Sequence, residues 1–231
     1  MDTSRMTTRL VGAALAALVL LPATAQAAAV APLKPCYVSA TQAARESVDL
    51  RGNGFTPGSL VDISFNGALD RTLQADAAGN LPTQILPSPY QAKGQGAFTL
   101  TAAERGNPAN TVSLPSRTTE LTMSLTPNPA KPSRRVRFKG SGFTEQKAVW
   151  AHYLFKGKVR KTVRLVRQVR NPCGLFSVKR KQIPVKIKRL RRMVGRWRIQ
   201  VDQQHKYSRA PNTVFVRVDV DVRLEIGRAH V

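Results

Sequence analysis

The feature that most restricts the fold of this chain is a segment that occurs twice. Residues 48–56 (VDLRGNGFT) match residues 136–144 (VRFKGSGFT) in their apolar positions, both glycines, the phenylalanine and the threonine. Residues 110–114 (NTVSL) and 212–216 (NTVFV) then match in the same order. The offsets are 88 and 102 residues, so the second copy is longer by 14 residues. We therefore predict two copies of one fold.

The boundary between the copies is predicted near residues 116–120, after the last strand of the first copy. This gives one domain over residues 30–118 and another over residues 119–225. A linker this short predicts limited freedom between the two domains.

Each copy has the pattern of an all-β domain. In residues 214–224, apolar side chains alternate with charged ones at a period of two, and residues 196–202 repeat this pattern. Residues 156–158 (KGK) and 76–80 (DAAGN) have the composition of turns. About seven short strands in about 100 residues is typical of an immunoglobulin-like β-sandwich. The fold class is therefore all-β, with two tandem immunoglobulin-like sandwiches.

The repeated Gly-x-Gly-Phe sequence has a structural explanation. Glycine allows the backbone to bend sharply where a strand ends. We expect Phe55 and Phe143 to turn inward at this bend and close one end of each core.

The N-terminus predicts a signal peptide over residues 1–27. Arg5 and Arg9 precede an apolar stretch at residues 10–21, and Ala25 and Ala27 are small residues of the kind found at a cleavage site. The stretch is shorter than the roughly 20 apolar residues of a membrane-spanning helix. We therefore expect an exported, soluble mature protein. Residues 226–231 (IGRAHV) resemble a translated sequencing adapter, and an ordinary disordered tail explains them equally well.

The chain contains two cysteines, Cys36 and Cys173. In an exported protein two cysteines most often pair with each other. Such a bond would clamp the two domains together, although two separate thiols, or pairing with another molecule, are also compatible with the sequence.

The positive charge lies almost entirely in the second copy. Residues 28–120 contain 7 Lys+Arg and 7 Asp+Glu, whereas residues 121–225 contain 27 Lys+Arg and 5 Asp+Glu. Scattered Lys and Arg usually form a solvated surface, but a small domain needs a net charge of only about 2–8 for solubility. The excess predicts an anionic partner. The candidate anion-binding residues are Arg135, Arg137, Lys139, Lys156, Lys158, Arg160, Lys161, Arg164, Lys179, Arg180, Lys181, Lys186, Lys188, Arg189, Arg191 and Arg192.

A family resemblance follows from these motifs. Residues 52–67 (GNGFTPGSLVDISFNG) resemble bacterial immunoglobulin-like modules of exported and surface proteins. Residues 139–143 (KGSGF) and 150–153 (WAHY) resemble segments of uncharacterised secreted actinobacterial proteins. The resemblance implies spacer, adhesion or binding roles, by analogy of fold alone. The second copy departs from the pattern at Glu145-Gln146, which replace Pro57-Gly58, so its next turn could differ.

The sequence contains no convincing catalytic motif. A Gly-x-Ser-x-Gly nucleophile motif is absent. His152 lies in an aromatic strand, where a packed histidine is more common than a general base, and His205 lies in an apparent loop. Asp219 and Asp221 are expected to pair with Arg217 and Arg223 on the same strand. We predict no enzyme activity, no cofactor and no metal site.

These patterns predict a secreted, non-enzymatic protein, and association with the cell envelope is a further expectation. Its basic second domain would bind anionic cell-wall polymers or lipid head groups. Nucleic acid is a less favoured partner because Trp150, Tyr153, Phe176 and Trp197 fit a core better than a stacking surface. An acidic protein is a further alternative. A hydrolase of an envelope polymer, using His152 and a nearby acid, is the alternative from a different functional class.

Overall fold

The structure is a computed structural model that describes residues 27–128, 130–186 and 193–222. Apart from Ala27, the predicted signal peptide lies outside the described residues, and so does the C-terminal tail at 226–231. The same holds for four predicted anion-binding residues, Lys188, Arg189, Arg191 and Arg192. Within the part of the chain that is described, no helix has the length and apolar character needed to cross a membrane.

The described chain is built from β-strands. Those of the first half are β1 (Ala29–Val30), β2 (Tyr37–Ser39), β3 (Ser47–Leu50), β4 (Gly52–Asn53), β5 (Leu60–Phe65), β6 (Ala68–Gln74), β7 (Gln84–Pro87), β8 (Gln95–Glu104) and β9 (Thr111–Glu120). Those of the second half are β10 (Thr122–Thr126), β11 (Arg135–Ser141), β12 (Val149–Phe155), β13 (Lys158–Val166), β14 (Phe176–Lys181), β15 (Gly195–Asp202) and β16 (Phe215–Val222).

The strands form two β-sandwiches. In the first, a five-stranded sheet in the order β2-β9-β8-β5-β6 lies with the pairs β3-β7 and β1-β4. In the second, the sheets are β10-β11-β14 and β13-β12-β15-β16. The second sandwich thus places its first, second and fifth strands in one sheet and the other four in the opposite sheet, which is an immunoglobulin-like arrangement. The predicted fold class is confirmed.

Each sandwich has its own hydrophobic core, formed by side chains that alternate inward along the strands. Leu50, Ile63 and Leu100 are fully buried in the first core. Phe138 and Trp197 are fully buried in the second. The alternation that the sequence predicted therefore supplies the inner faces of both sandwiches.

The Gly-x-Gly-Phe bends close one end of each core as expected. Phe55 is 3% exposed and Phe143 is fully buried. A further glycine presses on each bend: a Cβ on Gly79 would lie 2.2 Å from the Phe55 carbonyl oxygen, and one on Gly174 would lie 2.1 Å from the Phe143 nitrogen. Neither position can therefore accept a side chain without a shift of the backbone.

The turn after each bend has the same handedness in the two copies. Gly58 has a φ of 74°, and Gln146, at the equivalent position, has a φ of 47°. The substitution of Pro-Gly by Glu-Gln therefore leaves the turn left-handed, although glutamine adopts this conformation at a cost. The Lys156-Gly157 hairpin turn lies between β12 and β13, as predicted.

Two covalent features join the sandwiches closely. Leu121 alone separates β9 from β10. The predicted disulfide is present, with the Cα atoms of Cys36 and Cys173 5.2 Å apart. A buried hydrogen bond of 2.7 Å between the hydroxyls of Thr119 and Ser141 also crosses the joint.

Candidate functional site

The outer face of the β10-β11-β14 sheet carries a cluster of cations. Along β11, Arg135, Arg137 and Lys139 point outward, because Val136 and Phe138 between them face the core. On the neighbouring strand β14, Lys181 lies opposite Arg135, and Lys179 lies opposite Arg137. Strand alternation and pairing therefore place five exposed cations on one sheet face.

A second group of cations lies on β13, the edge strand of the opposite sheet. Lys158, Arg160, Lys161 and Arg164 are all exposed on this strand. Strand β13 contacts β14 across the edge of the sandwich. The cations of the two sheets lie on strands that meet at this edge, and we call them together the basic belt. It consists of Arg135, Arg137, Lys139, Lys158, Arg160, Lys161, Arg164, Lys179 and Lys181.

Arg180 does not belong to the belt. Its cross-strand partner is the buried Val136, and its side chain is half-buried. The guanidinium donates a hydrogen bond of 2.8 Å to the carbonyl oxygen of Leu165 on β13. Arg180 thus fastens the two sheets together at the edge, a role that its position in a basic run did not reveal.

Two further predicted residues lie beside the belt. Lys156 is exposed in the β12-β13 turn, with its ammonium 5.7 Å from the ring centre of Phe155. Lys186 is exposed after the end of β14. That these cations bind anions stays a prediction.

The carboxylates of the second sandwich lie away from the belt. Four of them are described, and each has a basic partner: Glu145 binds Lys147, Asp219 binds Arg198, and the pairs His152–Asp202 and Arg196–Asp221 complete the set. Within the described residues, no carboxylate forms an ion pair with a belt cation. The positive potential of the belt is therefore not compensated locally.

Part of this charge has a structural explanation. An edge strand with free backbone groups can pair with another chain, and lysines on such a strand hinder this. Strand β13 is such an edge. Strand β14 is an edge of the three-stranded sheet, so the explanation also covers Lys179 and Lys181. It does not extend to Arg135, Arg137 and Lys139, because β11 lies between two other strands of that sheet.

His152 lies on the outer face of the four-stranded sheet, where the loop at residues 203–210 covers it completely. Its Nε2 is 3.2 Å from Asp202 Oδ1 and 3.1 Å from the Gln204 carbonyl oxygen, and its Nδ1 is 3.0 Å from Thr162 Oγ1. Because a carbonyl oxygen can only accept, Nε2 carries the proton in the neutral ring, and Nδ1 then accepts from the Thr162 hydroxyl.

This arrangement has the connectivity of a hydroxyl–histidine–carboxylate triad, but it is enclosed. His152 and Asp202 are both fully buried. Asp202 also accepts hydrogen bonds from the Gln200 amide and the Gln204 backbone N–H. The prediction of a packed histidine is confirmed, and the network attaches the loop to the sheet.

Trp150 occupies a position that the sequence interpretation assigned to the core. It lies on the outer face instead, half-buried beneath two side chains. The Arg164 guanidinium lies 5.8 Å from its ring centre, and the exposed His205 ring is 4.4 Å away.

The pairing partners of two acids also differ from those expected. Arg198 binds Asp219 through Nε at 2.9 Å and Nη2 at 3.4 Å, and Asp221 faces Arg196, because each pair is directly opposed on β15 and β16. The hydrogen bond from Arg198 lowers the pKa of Asp219 below its ordinary value. The expectation of same-strand partners for Asp219 was therefore wrong. The candidate anion-binding residues predicted from the sequence did not include Arg196 and Arg198, which form these pairs. They also did not include Arg209 and Arg217, which lie nearby.

Comparisons with known proteins give no assignment by sequence. No protein-family model matches this chain, and no curated protein matches it. Among solved structures, the fibronectin(III)-like modules of Clostridium thermocellum CbhA are similar at 12% identity and a TM-score of 0.29, covering 88% of this chain and 100% of that one. The human OSCAR ligand-binding domain is similar at 14% identity and a TM-score of 0.33, covering 85% of this chain and 97% of that one. The fold assignment rests on the strand order described above.

Proposed function

We propose that this protein is exported and non-enzymatic, and that its basic belt binds an anionic polymer of the cell envelope. One observation carries this proposal: the belt runs across two sheets, and within the described residues none of its cations forms an ion pair with a carboxylate. Concentrating like charges on one surface costs free energy of folding, and binding to a polyanion offsets that cost.

Geometry supports an extended partner rather than a compact one. Residues at alternate positions of a strand are about 6.5–7 Å apart. The belt therefore presents regularly spaced cations along β11 and β14, and it continues around the edge onto β13. Arginine binds phosphate and carboxylate groups in a bidentate manner, and such groups repeat along anionic wall polymers.

The proposal is tested by retention of the mature chain on purified cell wall in a salt series. Retention should weaken log-linearly with salt, by analogy with counterion release from nucleic acids. Arg137→Gln, Lys179→Gln and Lys181→Gln should each reduce the slope. Lys147→Gln is the matched control, because this exposed lysine lies off the belt and pairs with Glu145. No retention at low salt, or an equal effect of the control, would overturn the proposal.

The identity of the polyanion is determined by competition. Wall polymer should displace the protein from the wall more effectively than anionic lipid vesicles or duplex DNA at equal charge. Preferential displacement by DNA would favour a nucleic-acid partner, and displacement by an acidic protein would favour that alternative.

The hydrolase alternative rests on the Thr162–His152–Asp202 arrangement. If it is correct, wild-type protein should release fragments from the wall polymer, and His152→Ala should abolish release without abolishing retention. The enclosure of His152 argues against this outcome.

A further inference from the structure

A groove of about 510 Å³ lies on the outer face of the four-stranded sheet, on a different surface from the basic face of β11 and β14. Its lining includes five cations, contributed by two strands, a hairpin turn and a loop, and a single carboxylate. They are Lys156, Arg196, Arg198, Arg209, Arg217 and Asp219. The groove therefore carries a strong excess of positive charge in a concave site.

Two of the arginines are held in fixed orientations. The Arg198 guanidinium donates two hydrogen bonds to Asp219. Arg217 donates through Nε to Gln200 Oε1 at 3.0 Å and through Nη2 to the Arg209 carbonyl oxygen. Arginine has five N–H donors, and within the described residues neither Nη1 group donates a hydrogen bond, so each guanidinium can offer its Nη1 group to a ligand. Donors held in place before binding lose little freedom when a ligand arrives.

The remaining cations are available as well. Within the described residues, neither Arg209 nor Lys156 forms an ion pair, and the Arg196 Nε lies as far as 3.9 Å from Asp221. Arg209 and Lys156 are exposed. These groups can therefore turn toward an anion in the groove without breaking a close ion pair.

The groove also has a less polar wall. Leu154 and Tyr207 line it, and the Tyr207 ring packs edge-on against His152 at 5.7 Å between ring centres. The buried histidine network thus supports the ring from below. A half-buried tyrosine beside fixed cations suits a ligand with one charged end and one ring-shaped body.

We propose that this groove is a binding site for a phosphorylated sugar unit. Several converging guanidinium groups favour a tetrahedral dianion over a single carboxylate. The volume of the groove accommodates a sugar ring in addition to the anion. A sulfated sugar has the same tetrahedral chemistry, and the test separates the two. The proposal does not depend on wall binding by the belt.

The test is calorimetric titration of the disulfide-bonded mature chain with glucose 6-phosphate at about 150 mM salt, where weak surface attraction is screened. Saturable binding at one site is expected, and glucose itself should not bind. Inorganic phosphate should bind more weakly than glucose 6-phosphate, and so should glucose 6-sulfate because it carries one charge less. Equal binding of inorganic phosphate would overturn the sugar-specific part of the proposal, and tighter binding of the sulfate would overturn the assignment to phosphate.

Variants locate the site. Arg209→Gln removes a cation that has no ion-pair partner within the described residues, and we expect about tenfold weaker binding of glucose 6-phosphate. Lys181→Gln, on the belt, is the control and should leave this affinity unchanged while weakening retention on cell wall. Equal loss of affinity in both variants, or no saturable binding by the wild type, would overturn the groove proposal. Neither result would affect the belt proposal, which is measured by retention.

Discussion

Cys36 and Cys173 are 137 residues apart in the sequence, and their disulfide joins the two sandwiches at the same end where Leu121 links them. Both cysteines are buried. Two separate covalent connections at one joint restrict rotation of one sandwich against the other. The belt and the neutral first sandwich are therefore held in a constant relative orientation.

Replacing both cysteines with alanine should uncouple the sandwiches. In the chain-entropy description, a crosslink that closes a loop of this length stabilises by about 5 kcal/mol when the whole loop unfolds together. We expect the wild type to unfold in a single calorimetric transition and the double variant to unfold in two, with a lower midpoint for at least one of them. The single variants Cys36→Ala and Cys173→Ala, kept reduced, should behave like the double variant. Unchanged cooperativity in the double variant would mean that the Thr119–Ser141 contact and the linker are sufficient.

Neutralising a belt cation should stabilise the fold while weakening anion binding. Arg137 lies directly opposite Lys179, and like charges opposed across two strands are destabilising. Arg137→Gln should raise the free energy of unfolding by less than about 1 kcal/mol at low salt. The gain should disappear at high salt, because screening removes the repulsion in the wild type as well. A decrease in stability at low salt would contradict this account.

Features that depend on local chemistry could be predicted from the sequence. The inward turn of Phe55 and the Lys156-Gly157 hairpin follow from a few adjacent residues. Features that depend on which strands become neighbours could not be predicted from the sequence. Alternation shows that Asp219 faces outward, but only the order of the sheet places it opposite Arg198.

The candidate site shows the same division. The exposed cations of β11 followed from the pattern of alternation, because their neighbours are apolar. The groove could not be predicted from this pattern, because its cations come from β15, β16, a hairpin turn and a loop. Trp150 was placed in the core because it is aromatic, and the loop that half-buries it on the outer face left no signal in the strand pattern.

Removing the hydroxyl of Tyr153 should stabilise the second sandwich. Tyr153 is fully buried, its hydroxyl has no hydrogen-bond partner among the residues that the structure describes, and burial strongly raises the pKa of its phenol. A buried polar group without a partner costs roughly 1–3 kcal/mol. Tyr153→Phe should therefore raise the free energy of unfolding by about 1 kcal/mol in denaturant titrations. Tyr37→Phe is the control and should destabilise, because the Tyr37 hydroxyl accepts a hydrogen bond from the Lys34 N–H.

Acid should destabilise the first sandwich partly through Glu104. Hydrogen bonds from Thr56, and a further one from the Asn110 amide, hold the pKa of Glu104 below its usual value of 4.5, against the opposing effect of burial. A carboxyl with a lowered pKa in the folded state stabilises above its ordinary pKa, and the contribution is lost as the pH falls through the lower value. Stability of the wild type should therefore decline below about pH 4.5.

The second copy supplies the matched substitution for this test. There, Gln203 accepts a hydrogen bond from the backbone N–H of Glu145, one residue after Thr144, the counterpart of Thr56. Glu104→Gln should keep the bond to Thr56 while removing the titration. The difference in melting temperature between pH 7 and pH 3 should be smaller in the variant than in the wild type, and an equal difference would exclude a role for Glu104.

A reciprocal exchange between the two copies tests the cost of the left-handed turn. Gly58 and Gln146 share a positive φ at equivalent positions. A residue with a Cβ pays roughly 1–2 kcal/mol in this conformation, and part of that is regained because glycine is more flexible in the unfolded chain. We expect Gln146→Gly to stabilise the second sandwich by about 0.5–1 kcal/mol and Gly58→Gln to destabilise the first by a similar amount.

The two changes isolate backbone conformation from packing. A Cβ on Gly58 would have no atom within 4 Å, so a loss of stability in Gly58→Gln cannot come from a clash at Cβ. Calorimetry of the single variants and of the double variant measures both effects. Because the two turns lie in different sandwiches, the effects should add in the double variant. Destabilisation by Gln146→Gly would show that the glutamine side chain makes a stabilising interaction that outweighs the cost of its backbone.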